Sequence, residues 1–423
     1  MSEQQQSPQS PQSPQSAPPA GTPPPATPSP SPPKPERRTL LVGCLLVFMA
    51  QMATTIYLPA LPAVAHDLHA SRGLAALSVS LFVIGAAAPV IFWGRAADRY
   101  GRRAAVLASL VLFVGSSVLL VVTESVTMLL ALRAVQGIGA GGAAIIARIF
   151  VRDLGGGDAL ARRLSVLSIA FVSALGGGQF LGGLIDRYAD WRAGFAVLAA
   201  VGAVAVIGVM TLPLEPGRDK RDSTGMLRIY LGILGVRKFL LPTVAGGLGF
   251  ATIVLLQEVA PFVTQEHFGL SAAAYGNLGL LFGLAYFAGA MLVNRLVSTV
   301  GSAWLMRLGA AVMTGSGVLM FGLWLVPGLP TTAALVVFVA LYCATTFGQA
   351  ALFPSSMAVA VTAVPAHGAY AVALCGFVAQ SIAGVISVAA VWLHVDLVWA
   401  AVATGISALA LLLVSRRATS PST

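Results

Sequence analysis

The sequence predicts an all-α membrane protein of twelve transmembrane helices in two pseudo-symmetric six-helix bundles. Three observations predict it: recurrent apolar runs, a one-sided distribution of basic residues, and a decayed internal repeat. Of 423 residues, 57% are hydrophobic and only 9% charged, against about a quarter charged in an average soluble protein. Apolar runs near the ~20 residues that cross hydrocarbon recur along nearly the whole chain after residue 38 and leave no room for a soluble domain.

In chain order, residues 1–36 repeat SPQ and then run into Pro, Ser and Thr. Such a segment buries too little apolar surface to offset its ordering entropy and is expected to be a disordered cytoplasmic tail. It lacks the n-region and cleavage site of a secretory signal, so the first span is expected to be retained. The first bundle, 37–213, holds spans near 39–60, 74–93, 104–122, 127–150, 163–185 and 192–212. The second, 238–417, holds spans near 239–264, 276–297, 303–325, 331–353, 369–392 and 396–414. Between them, 214–237 reads as a cytoplasmic loop containing the most polar internal stretch, EPGRDKRDSTG; 418–423 form a short cytoplasmic tail.

The formal charge of +10 invites a nucleic-acid reading, which its distribution rejects. With the start of span 1 inside, the inner segments collect Lys34, Arg37, Arg38, Arg95, Arg99, Arg102, Arg103, Arg148, Arg152, Arg162 and Arg163. Farther on they collect Arg218, Lys220, Arg221, Arg228, Arg237, Lys238, Arg295, Arg307, Arg416 and Arg417, while the outer loops hold only Arg72, Arg187 and Arg192. Basic residues in short loops resist translocation, so both termini are expected in the cytoplasm of a multi-pass cell-membrane protein.

Between spans 2 and 3 lies GRAADRYGRR, Gly94 to Arg103. Gly94 and Gly101 permit tight backbone at the two helix ends, Asp98 is expected to accept from orphan helix N–H groups, and Arg99, Arg102 and Arg103 hold the turn inside. Asn294, Arg295 and Gly301 echo Gly94, Arg95 and Gly101 at the same spacing, with Ser298 in the place of Asp98. The ten residues resemble the loop 2–3 motif of the major facilitator superfamily, G-x-L-A-D-R-x-G-R-[KR]. That resemblance implies six-plus-six spans related by an axis along the membrane normal, with the substrate site at midplane between the halves.

Three further segments resemble the bicyclomycin and chloramphenicol resistance branch of the drug:proton antiporters. They are TTIYLPALPAVAHDL (Thr54 to Leu68), LRAVQGIGAGGAAIIARIFVRDL (Leu132 to Leu154) and APFVTQEHFGLSAAAYG (Ala260 to Gly276). Two departures stand out. Thr55 occupies the position where the branch commonly has an acid, and GQFLGG, Gly178 to Gly183, puts Gln179 where the antiporter motif G-P-x-x-G-G has proline. Gly178, Gly182 and Gly183 keep a small-residue face, which serves helix packing or antiporter gating.

Charges inside hydrocarbon usually face a cavity or a partner. Arg133 in span 4 and Glu258 in span 7 lie at similar depth, as does Thr55 in span 1. They are expected to face one cavity from opposite halves, with Tyr57, Gln136 and Gln257 nearby and Tyr342, Gln349 and Phe353 of span 10 as further lining. Glu258 is the carboxylate within a span's apolar body and therefore the candidate proton carrier, with Arg133 its charge partner. The alternative for Glu258 is a residue near a helix end reaching water beside Pro261.

The sequence shows no Walker A motif, and GIGAGG, Gly137 to Gly142, lies inside an apolar run where close helix packing outweighs phosphate binding. Cys44, Cys343 and Cys375 read as packing residues, and His66 and His69 as an external turn rather than a metal site. No cofactor, metal or nucleic acid is expected, and neither is an enzyme, because the titratable residues form no catalytic set. The expected function is a proton-coupled efflux antiporter that exports small amphipathic drugs by alternating access as a monomer. The alternatives are a facilitator-fold exporter of a specific sugar, amino acid or nucleoside, and, behind it, a non-transporting membrane sensor or scaffold.

Overall fold

The computed structural model describes residues 34–87, 89–154, 157–212, 226–326, 328–390 and 396–416. Most of the expected tail, residues 213–225, the side chain of Arg162, and residues 417–423 lie outside the described residues.

The first half comprises α1 (Lys34–Thr55), α2 (Leu61–Asp67), α3 (Arg72–Ala87), α4 (Val90–Tyr100), α5 (Arg102–Val121), α6 (Val126–Asp153), α7 (Gly157–Tyr188) and α8 (Arg192–Met210). The second comprises α9 (Met226–Leu234), α10 (Arg237–Phe262), α11 (Ala272–Val300), α12 (Ser302–Leu325), α13 (Thr331–Thr362), α14 (Gly368–Ala390) and α15 (Asp396–Ser415). Among the described residues, 11 helices are long and apolar enough to cross a membrane; α3 and α4, bent by 44° with Pro89 at the head of α4, bring the number to 12. Two boundaries differ from expectation. Helix already begins at Lys34, and the expected central loop contains α9, which buries Tyr230 and Ile233 against α14.

In α1, α6, α10 and α13 half or more of the apolar stretch is buried; in every other unbroken span it is less. These are spans 1, 4, 7 and 10, the helices that line the centre in the fold the motifs resemble. The halves meet mainly along two helix pairs, α7 with α11 and α3 with α14, with smaller contacts of α10 on α3 and of α10 and α11 on the segment after α1. The face holding the start of α1 is called the near face, and the opposite one the far face.

The near-face turn is shorter than its motif suggests. α4 runs through Gly94, whose missing β-carbon faces open space, and stops only at Tyr100. Asp98 is exposed and makes no hydrogen bond or ion pair among the described residues, so the expected capping role is not found. The work is divided differently. Gly101 reverses the chain at φ 89°, ψ 151°. Arg102 pairs with Asp153 at 2.7 Å, tying α5 to the end of α6, and Arg103 donates to the carbonyls of Met210, the last residue of α8, and of Leu212 just beyond it.

Gly301 stands between α11 and α12 at φ 77°, ψ 157°, so the internal repeat survives as backbone geometry where its side chains have diverged. This region is essentially confined to glycine, at a cost of order 1–3 kcal/mol for other residues. Gly101→Ala and Gly301→Ala are each expected to lower stability by about 2 kcal/mol. Gly94→Ala, in a helix interior with free space, should leave it unchanged or raise it by about 1 kcal/mol. Thermal unfolding of the three variants in detergent checks the contrast.

Candidate functional site

The first half is centred on Arg133. Ser125 precedes α6, its hydroxyl capping the helix by accepting from the Met128 N–H at 3.2 Å, and Arg133 follows two turns later. Its side chain is fully buried. α1 ends at Thr55, leaving the Ala53 carbonyl in the helix's unsatisfied last turn, and Nη1 of Arg133 donates to it at 3.1 Å. The same nitrogen donates to Gln136 Oε1 at 2.6 Å, and Gln136 in turn donates to Ser117 of α5 at 2.8 Å.

Three rings enclose the cation. The guanidinium carbon lies 4.4 Å from the Phe82 ring centroid, 4.9 Å from that of Tyr57 and 5.9 Å from that of Phe195. Negative ring faces partly compensate the buried charge. Nε and Nη2 have no hydrogen-bond partner among the described residues. Thr55, in place of the acid, donates to the Ala174 carbonyl of α7 at 2.8 Å and so packs α1 on α7.

Arg133 and Glu258 are not brought together. Phe82 of α3 covers the arginine, whereas Ser80, two residues earlier on α3, donates to Glu258 Oε1 at 2.6 Å. Two residues turn a helix by about 200°, so α3 stands between the two charges and each addresses an opposite side of it. Among the described residues no ion pair joins them. The expected shared cavity is therefore not found: each charge meets a different side of α3. Glu258 is 2% exposed, at the junction of α10, α3 and α14, so the reading of a helix-end carboxylate reaching water is also set aside. Ser387 of α14 neighbours it, its hydroxyl otherwise unpartnered among the described residues. Gln257 beside it is buried on α10.

Toward the far face the halves are closed by further contacts. A π-helical turn, Val263–His267, extends α10 and places Gln265, which donates to the Pro59 carbonyl at 2.8 Å, and Glu266, which pairs with Arg72.

The second half contributes an aromatic column. Tyr342 of α13 stacks on Phe282 of α11 with centroids 3.8 Å apart, and Phe338, Phe268 and Trp324 continue the column. The hydroxyls of Tyr275 and Tyr342 are buried as neighbours across α11 and α13, and Oε1 of Gln349 is buried without a hydrogen-bond partner among the described residues. Phe353 contacts Phe250 of α10 at 5.8 Å. The predicted residues thus fall into an arginine centre in one half, an aromatic column in the other, and Glu258 at the seam. Sequence reasoning missed Ser80, Ser387, Phe82 and Phe282.

The glycines separate by what they touch. A β-carbon at Gly139 would lie 2.6 Å from backbone of Ser109 and Phe113, and at Gly142 2.7 Å from Ser109 and Trp93, so GIGAGG is a packing face. Gly178 and Gly182 press on Thr55 and Ile56 inside the first half, whereas Gly183 faces Ala272 and Gly276 across the seam. Gln179 is buried beside Gly276 and Gly279, its Oε1 without a hydrogen-bond partner among the described residues.

A helical, multi-pass membrane protein whose two halves meet along paired helices, with central spans burying isolated polar groups, has the architecture of a transporter. Residues 43–271, more than half of the chain, match the Major Facilitator Superfamily, and the chain belongs to that family. Among curated relatives it is 30% identical over 258 residues to multidrug resistance protein D of Escherichia coli, a match covering 60% of this chain and 65% of that one. It is 24% identical over 290 residues to a bicyclomycin resistance protein homolog of Haemophilus influenzae, covering 67% and 71% respectively. Of solved structures, the xylose transporter XylE of E. coli superimposes with TM-score 0.71 at 16% identity, over 92% of this chain and 99% of that one. The nucleoside transporter NupG does so with TM-score 0.72 at 12% identity, over 90% and 99%. The likeness to both structures is one of fold.

Proposed function

We propose that this protein is a proton-coupled exporter of small amphipathic compounds that works by alternating access. The observation that carries the reading is Glu258: a carboxylate buried inside a span, hydrogen-bonded across the seam between halves. A group so placed senses both a proton and the relative position of the halves, which is what coupled transport requires. The names of the curated relatives support a drug-like cargo. The basic near-face residues favour that face, and both termini, in the cytoplasm. The bundles 37–213 and 238–417 rock about the seam, and the far-face contacts of Arg72, Gln265 and Ser80 belong to a state closed on that side.

Protein reconstituted in proteoliposomes with an imposed pH gradient, offered ethidium as an amphipathic probe and a panel of sugars, amino acids and nucleosides, tests this. Ethidium is expected to accumulate against its gradient and to lose that accumulation when a protonophore collapses the pH difference. Gradient-driven movement of a metabolite instead, with none of ethidium, would favour the metabolite exporter.

A further inference from the structure

Resting on the reading of Glu258 as the proton carrier, we infer that Ser80 and Ser387 are its positioning residues: Ser80 holds the carboxyl across the seam in this state, and Ser387 is the partner within its own half. The geometry is asymmetric. Ser80 comes from α3, in the first half, and its hydroxyl lies 2.6 Å from Oε1. Ser387 comes from α14, in the same half as Glu258, and neighbours the carboxyl, and among the described residues its hydroxyl has no other partner. Both serines are buried, Ser80 completely.

The surroundings leave these hydroxyls the principal polar neighbours. α3 offers Ser80, α14 offers Ser387, and among the described residues no charged group from α2, α13 or α15 pairs with the carboxyl. Arg133 is turned away behind α3. When α3 withdraws from α10, the Ser80 bond is lost first, because its donor travels with the other half. Ser387 stays, so the carboxyl exchanges an inter-half partner for an intra-half one. The α3–α14 pair already brings Ile84 and Gly384 into close contact one helical turn beyond Ser80, so the seam is tight where the exchange occurs.

A hydroxyl donating to the carboxylate favours its charged form, so removing one donor shifts its titration toward higher pH. The test is infrared titration of the carbonyl stretch of protonated carboxyl groups in the reconstituted full-length protein. The Glu258 band is identified by its absence in Glu258→Gln. Ser80→Ala is expected to move the band's midpoint upward by about one pH unit, Ser80→Thr to restore it, and Ser80→Ala with Ser387→Ala to move it further. These outcomes need no transported substrate. If Ser80→Ala does not fold, Ser80→Cys, a weaker donor of similar size, should give a smaller upward shift. A midpoint unmoved by the serine variants, with a Glu258 band present, would overturn the positioning role and leave the carrier reading standing. If no titrating band is lost in Glu258→Gln, the carrier reading fails and the inference falls with it.

Discussion

Glu258→Gln is expected to abolish accumulation driven by a pH gradient while leaving downhill movement of the same probe close to wild type. Gln has nearly the volume of Glu, and its amide oxygen can still accept from Ser80, so the seam keeps its packing and its cross-half hydrogen bond. What it loses is the exchangeable proton. Each proton exchanged across one pH unit supplies about 1.4 kcal/mol, a tenfold accumulation of cargo. The variant should therefore show a ratio of inner to outer probe near unity at every imposed gradient, where wild type rises about tenfold per pH unit per proton. Uphill transport that persists in Glu258→Gln would move the carrier elsewhere. Counterflow measured without a gradient separates loss of coupling from loss of movement. The near-face acids are poorer candidates: Asp153 is committed to Arg102 and Arg152, and Asp98 is exposed.

How far this arrangement was legible in the sequence follows from what each signal encodes. Hydropathy and charge encode where the chain crosses, so the spans could be read by counting along it. Rotation about a helix axis is not encoded in a helix that is apolar all round, and α10 is buried along nearly its whole circumference. Without a polar stripe to orient it, the direction of Glu258 depended on where α3 would lie. Ser80 illustrates a second limit. Ser78, two residues away, also donates to the carbonyl of its own helix at Ala75 at 2.6 Å, as membrane-embedded serines commonly do. Nothing local distinguishes the one that bonds back from the one that reaches across the seam. Gly94 shows a third: a motif glycine suggests a helix end, but the helix stops only where φ turns positive, at Gly101. Arg133, by contrast, stood out from sequence because a guanidinium in an apolar run needs a built environment wherever it points.

The helix 5 glycines resolve into two roles that neighbouring substitutions should separate. At Gly182 a β-carbon would lie 2.8 Å from the Ile56 carbonyl carbon, inside the first half, where α7 packs on the segment after α1. At Gly183 it would lie 2.7 Å from the Ala272 oxygen and 2.9 Å from the Gly276 Cα, across the seam. In both cases the neighbour is backbone, which cannot rotate out of the way. Gly182→Ala therefore overpacks a fixed core and is expected to lower stability by about 1–3 kcal/mol, seen as a fall in thermal midpoint and in yield of folded protein. Gly183→Ala meets a surface that the transport cycle must itself open. The halves relieve the clash by parting on the far face, so the thermal midpoint should hardly change while amide hydrogen exchange rises in residues 180–188 and 272–280. Transport should fall as well, because a state that closes the far face has lost its contact; a ligand or proton can shift such an equilibrium only by its differential affinity for the two states. Equal destabilisation by both substitutions, with seam exchange unchanged, would mean that α7 and α11 form a permanent core, and the rocking axis would have to lie elsewhere.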